Sequence, residues 1–326
     1  MVVMAEIKRG TKKESDLSKI EMFKGLGVYV NLLTDFGFKR IFGNKELMLN
    51  FLNTVLNTEE EIVDLYYDNT ERLGITDTDR KAIYDLICTT KSGERIIVEM
   101  QAVPQQYFKD RTLFYASYLI QDQNVKGKTW NFKLSSVYSI NIANFFLEED
   151  PDRPKGKYIY YVQLIDRDTN QLFYKKLTLV YIELPSFTKK LHKLKTFLDQ
   201  WIYIIRHLPE LESLPETLNN EIFAQLFKDA KIAKMTKKQK NEYFISLKNL
   251  SDMNIAKIEL DSYRNQMNVA NRQIDSYRNQ LDVIRQIVID KDRDIAERDA
   301  RIAEREARIA EKEARIAELE CKMSLN

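Results

Sequence analysis

The sequence predicts a mixed α/β (α+β) sandwich, a central sheet flanked by helices and followed by a long C-terminal helix or coiled coil. Three observations carry this. Short runs rich in β-branched and aromatic residues recur between residues 62 and 183, with the length and composition of strands. Amphipathic stretches precede, interrupt and follow those runs, as in a layered fold. Beyond residue 251 the pattern becomes a heptad repeat, the period of a coiled coil. The expected organisation is a flexible basic arm over residues 1–27, a folded domain over 28–250 and a helical arm over 251–322.

Taken in order, Thr34 and Asp35 both suit an N-cap, so a helix is expected through Phe38, Lys39, Arg40, Ile41 and Phe42. Gly43 and Asn44 interrupt it before residues 46–56, where Leu49, Leu52 and Leu56 share one side. Residues 62–67 read as the first strand, 68–80 as a polar connection, and 82–88 with 95–101 as a hairpin. Residues 105–122 read as a helix with apolar or aromatic positions at Phe108, Leu113, Phe114, Tyr115, Tyr118 and Leu119. Strands follow at 136–146, 158–166 and 177–183, then helix at 188–207 and 218–231.

The arm is more regular. From Tyr263 to Val288 apolar residues alternate at spacings of four and three, and DSYRNQ occurs at 261–266 and again at 275–280. IAERDAR, IAEREAR, IAEKEAR and IAELECK then start at Ile295, Ile302, Ile309 and Ile316. Within them Glu297 and Arg301, Glu304 and Arg308, and Glu311 and Arg315 are i,i+4 pairs in the favourable order, each worth about 0.3 kcal/mol. Only one isoleucine per heptad is strongly apolar, so the last half reads as a weak coiled coil or a lone charged helix. The arm is expected to make the chain a homodimer or higher homo-oligomer.

Composition removes several classes of function. Lys plus Arg total 51 against 49 for Asp plus Glu, a net charge of +2, which argues neither for nor against nucleic acid. Cys88 and Cys321 lie in unrelated contexts, which fits a reducing cytoplasm and no disulfide framework. No apolar leader follows the first charges, and no run reaches the ~18 apolar residues of a membrane span. With His192 and His207 as the only histidines, a His-rich zinc site or a Ser-His-Asp triad is disfavoured. The nine glycines form no phosphate-binding loop.

The hairpin holds the most informative residues. Lys91-Ser92-Gly93 suits a short loop with glycine at positive φ. Thr90 then faces Glu94, and counting outward sets Asp85 opposite Glu99, with Gln101 on the same face. Two readings stand at this point. Either the pair lies on a solvated edge, or two like charges are held together by a divalent cation such as Mg²⁺.

The order of motifs resembles a known family. Asp35 to Phe42 has the form D-x-x-F-K-x-x-F, Asp85 follows in a strand, Glu99-Met100-Gln101 ends the next, and Arg111 and Tyr115 form R-x-x-x-Y on the helix after it. This is similar to the PD-(D/E)XK nuclease superfamily, in its recombination-promoting nuclease and putative transposase group, over roughly residues 28–250. The resemblance implies a restriction-endonuclease-like sandwich and Mg²⁺-dependent endonuclease activity, with Mn²⁺ able to substitute. Asp85, Glu99 and the Met100 backbone carbonyl would be the metal ligands. Gln101 would stand where the superfamily has lysine, and Asp35 would be the acidic residue of the first helix. Lys39, Arg111 and Tyr115 would be candidates for phosphate or DNA contact. The implied substrate is DNA, most simply double-stranded, in recombination or mobile elements. An inactive nuclease fold serving as a coiled-coil DNA-binding or scaffold protein, and an RNA-cutting defence effector, are the alternatives.

Overall fold

Thr34 begins the first helix as expected: its hydroxyl accepts the Gly37 N–H at 3.1 Å and donates to the Asn31 carbonyl at 2.6 Å. Helix α1 spans Asp35–Phe42, and Asn44 caps α2, Lys45–Leu56. In the computed structural model the described residues are 27–323 except 59, 70, 73–81, 84, 124–130, 148–153 and 155. Residues 1–26, which hold nearly all of the expected basic arm, lie outside them. The chain divides into two units, Met1–Lys257 and Ile258–Asn326.

The strands are β1 Leu65–Tyr67, β2 Glu71–Arg72, β3 Ala82–Ile83, β4 Leu86–Thr90, β5 Arg95–Gln101, β6 Val137–Ala143, β7 Ile159–Ile165 and β8 Leu172–Glu183. Six of them form one sheet in the order β1-β4-β5-β6-β8-β7, and β2 pairs with β3 apart from it. The central trio β5, β6 and β8 is parallel; β4 pairs antiparallel with β5 and β1 antiparallel with β4, so β1 runs with the trio, and β7 pairs antiparallel with β8 on the other side. Parallel neighbours need a crossover, and helix α3, Phe108–Gln121, supplies it between β5 and β6.

Both faces of the sheet are covered, which is why β6 is buried at six of its seven positions. Helices α1, α2, α4 (Phe197–His207) and α5 (Glu221–Ala230) share a core with Ile96, Val98, Ile140 and Val180. Helix α3 packs on the opposite face against Ile87, Ile97, Val137 and Leu179. The observed architecture is the α/β sandwich expected. Trp201 anchors the larger core at zero exposure, with Phe42, Phe51 and Phe223 at centroid distances of 5.6, 5.4 and 5.2 Å. Its indole N–H donates to Asn50 Oδ1 at 2.8 Å. Trp201→Phe keeps an aromatic ring but removes that donor and some volume, so it should cost about 2 kcal/mol in urea melts.

Four expectations need correction. The run at 82–88 is not one strand: Ala82–Ile83 pairs with Glu71–Arg72, and a bend at Asp85 precedes β4. Residues 188–196 are not α-helical, since Thr196 caps α4 and only Leu191–Lys193 make a 3₁₀ turn before it. The cause is Asp199, 1% exposed, which gathers Lys189 Nζ at 2.6 Å, the Tyr158 hydroxyl at 2.8 Å and the Lys195 N–H at 3.1 Å. Burial pushes the Asp199 carboxyl up, but these donors outweigh it and hold it below the usual carboxylate value. Helix α5 starts at Glu221 on an Asn220 cap, after a 3₁₀ turn at Glu216–Leu218. Helix α3 starts at Phe108 rather than at residue 105, with Phe108, Thr112, Ala116 and Leu119 as its buried face and Leu113 and Phe114 half-exposed.

Helix α6 covers Lys237–Met323, 87 residues. Its first turns belong to the globular unit: the Tyr243 hydroxyl accepts the Asn31 N–H at 2.8 Å and Ser246 Oγ accepts the Phe36 N–H at 3.1 Å. From 258 to 320 each residue of the helix is exposed. Among the described residues no helix is long and apolar enough to cross a membrane.

Candidate active site

Gly93, at φ 91°, closes the β4–β5 turn, where the Thr90 N–H donates to the Glu94 carbonyl at 3.0 Å. From there the ladder runs from Thr89 opposite Arg95 to Leu86 opposite Val98. One step further Asp85 arrives opposite Glu99, as the loop geometry required. The backbone pairing stops there and side chains replace it. The Asp85 N–H donates to Glu99 Oε1 at 3.1 Å, and Asp85 Oδ2 accepts the Met100 N–H at 2.7 Å. The carboxylates therefore staple the frayed end of β4 to β5. The N–H and C=O of one strand residue point to the same side, so the Met100 carbonyl also leaves β5 on the Asp85 side.

Glu99 is 3% exposed and Gln101 9%. Glu99 neighbours Asn141 on β6, which neighbours Tyr181 on β8, so a polar row crosses three strands under α3. Asn141 is fully buried and donates to the Ser139 and Val180 carbonyls at 3.0 and 3.2 Å. The Tyr181 and Thr112 hydroxyls share a hydrogen bond of 2.6 Å. From α3, Arg111 reaches Glu99 Oε2 at 3.5 Å. Its guanidinium lies 4.8 Å from the centroid of the Tyr115 ring and also bonds the Gln105 side chain. Tyr115 is thus a platform for Arg111.

Burial, then the neighbouring Asp85 charge, push the Glu99 carboxyl up to about 8, against the pull of Arg111, the Asp85 N–H and the Gln101 amide. Asp85 is also raised, first by burial and further by Asp35, while the Met100 N–H, Lys39 and Arg111 oppose the shift. Two buried carboxylates this close favour protonation unless more positive charge joins them. The donor types suit a hard divalent cation, since two carboxylates lie side by side with the Met100 carbonyl on the Asp85 side, and the bond to the Met100 N–H uses Asp85 Oδ2 rather than Oδ1. Among the described residues no three His, Cys, Asp or Glu side chains gather in one place. Water and phosphate would therefore complete such a shell.

Asp35 is brought near this pair without joining it. It is mostly exposed and ion-paired with Lys39 at 2.7 Å along the helix, and its charge acts on Asp85 from a distance. Asp35 and Lys39 also line an open groove of about 780 Å³ between α1 and the first turns of α6, with Arg40, Gln239 and Ser246. Sequence reasoning missed Asn141, Tyr181, Thr112 and Gln105. An asparagine inside the apolar run 137–143 was the one signal available.

A parallel-centred mixed sheet, with a buried E-x-Q at the end of one central strand and an aspartate opposite, defines a nuclease-like fold of the two-carboxylate kind. The family model described as PD-(D/E)XK nuclease family transposase matches residues 32–259, and the chain belongs to that family. No curated protein and no solved structure gives a significant match.

Proposed function

We propose that the protein is a metal-dependent endonuclease that hydrolyses phosphodiester bonds in double-stranded DNA, in recombination or the movement of mobile elements. The observation that carries this is the buried Asp85–Glu99 pair, bonded to β-strand backbone and faced by Arg111. Asp85, Glu99 and the Met100 carbonyl hold Mg²⁺, or Mn²⁺ in its place. When bound, the ion lowers the pKa of a coordinated water and stabilises charge on the phosphate in the transition state.

The chain's own residues do the rest. Gln101 has no charge to give and no proton to lose, so its amide orients the attacking water or holds the scissile phosphate. Arg111, preset by Gln105 and Tyr115, turns from Glu99 to a phosphate oxygen. Asp35 tunes the charge on Asp85, and Lys39 touches the phosphate backbone in the groove beside α1. Such contacts make binding salt-dependent.

The Arg111–Glu99 ion pair also favours a second reading, in which arginine supplies the neutralising charge and the fold binds DNA without cutting it. Supercoiled plasmid with Mg²⁺, Mn²⁺ or EDTA separates the two. The wild type should nick or linearise it only with metal, and Asp85→Asn or Glu99→Ala should reduce the rate about a thousandfold, the loss of several kcal/mol of transition-state stabilisation. Equal cleavage by wild type and both variants would reject this site. A folded wild type that shifts DNA on a gel but leaves it uncut with either metal would select the second reading.

A further inference from the structure

Beyond residue 257 helix α6 carries a stripe of apolar side chains about half in solvent, such as Leu281 at 64% and Ile302 at 53%. An apolar stripe of this length marks an interaction surface. Counting by sevens from Met253 to Ile316 meets an apolar residue at every step, the a column of a coiled coil. The d column, from Ala256 to Leu319, is apolar through Ile284 and then basic at Lys291, Arg298, Arg305 and Lys312. The e column beside a reverses sign midway. It is basic at four of five steps from Lys257 to Arg285 and acidic at all five from Asp292 to Glu320.

We propose that the partner of this face is a second copy of the same chain, running antiparallel over residues 260–319. A parallel, in-register pair would stack d on d, giving four successive layers of like charge, and would set Asp294 against the partner's Asp299. Reversing one strand removes both conflicts. Leu260 then packs level with the partner's Leu319. Each basic d residue meets an apolar a residue, Arg298 against the partner's Leu281 for example, and lays its methylene stem there while the head reaches water.

On the e side, Arg264 meets the partner's Glu313, Arg278 the partner's Asp299 and Arg285 the partner's Asp292. On the g side, Gln266, Gln273 and Gln280 each meet an arginine of the partner, so like charges do not oppose one another along either flank. Exposed pairs of this kind add little strength individually; a parallel pair would also make some, Arg301 with the partner's Glu306 for example, so the stacked basic d layers decide the orientation. Antiparallel pairing sets the first heptads of the two chains at opposite ends of a rod about 90 Å long, from a rise of 1.5 Å per residue.

Interchain distances test the orientation. In a Cys321→Ser background, single cysteines at Gln286, Asn279 and Ala300, all on the outer f position, take spin labels; the remaining thiol, Cys88, is buried in β4. The full-length protein should run as a dimer at micromolar concentration. Gln286→Cys should give a short distance, with about 10 Å of axial offset, and Asn279→Cys and Ala300→Cys should give longer, matching distances, each with about 30 Å. The double variant Arg278→Glu plus Arg285→Glu should run at half the wild-type mass, and adding Asp292→Arg plus Asp299→Arg should restore the dimer. Three equal short distances, a monomeric wild type, or a dimer indifferent to the double variant would each overturn the proposal.

Discussion

At pH 8 in EDTA, Glu99→Gln should be more stable than the wild type, by about 3 kcal/mol if most of the displaced ionisation energy is recovered. The Glu99 carboxyl is raised from 4.5 to about 8 by burial and by Asp85. Between those values the folded chain holds a proton that the unfolded chain has released. Wild-type stability therefore falls as pH rises through this window, and the slope fades above it. Glutamine is neutral throughout, so the variant lacks this slope and its advantage should vanish near pH 4.5. Loss of the Arg111 contact subtracts little, because Arg111 keeps Gln105 and Tyr115. Mn²⁺ should invert the order, raising the melting temperature of the wild type and leaving the variant unchanged. Urea melts from pH 5 to 9, with and without Mn²⁺, read all of this. A variant less stable at pH 8 without metal would show that the pair carries no electrostatic strain.

Gly37→Ala should be the most damaging small substitution in the globular unit. A Cβ at Gly37 would stand 2.1 Å from the Asn31 carbonyl oxygen and 2.9 Å from Thr34 Oγ1. These atoms form the turn that starts α1, where Asn31 Oδ1 also accepts the Leu33 N–H at 2.9 Å. Alanine's better helix propensity returns about 1 kcal/mol, but the forced shift of backbone and cap should cost about 4 kcal/mol gross. The net loss of about 3 kcal/mol should lower the melting temperature by roughly 10 °C. The turn also orients Asp35 and Lys39, so activity per folded molecule should fall as well. A melting temperature within a degree of wild type would mean that the loop yields more easily than its hydrogen bonds imply.

The hairpin was legible because its register depends on local quantities, the loop length and the position of Gly93. Those alone set Asp85 opposite Glu99. The caps at Thr34 and Asn44 were equally local. Where distant residues intervene, the pattern misled. The run at 82–88 is apolar on both sides of Asp85, yet the chain bends at Asp85, which accepts the Met100 N–H. The segment at 188–196 is drawn out by Asp199, whose role depends on Lys189 and Tyr158. Asn141 became meaningful only when β5, β6 and β8 lay side by side. The contact of Arg111 with Glu99 likewise needs α3 to cross the sheet.

The hydrogen bond from the Asn31 N–H to the Tyr243 hydroxyl joins residues 212 apart in sequence. Folding usually proceeds during synthesis from the N-terminus, but this bond cannot form while residue 243 is still inside the ribosome. The start of α1 therefore lacks two of its contacts until the opening turns of α6 emerge. The heptads leave the exit tunnel only afterwards. All that the globular unit takes from α6 thus precedes the exposed heptads in the order of synthesis.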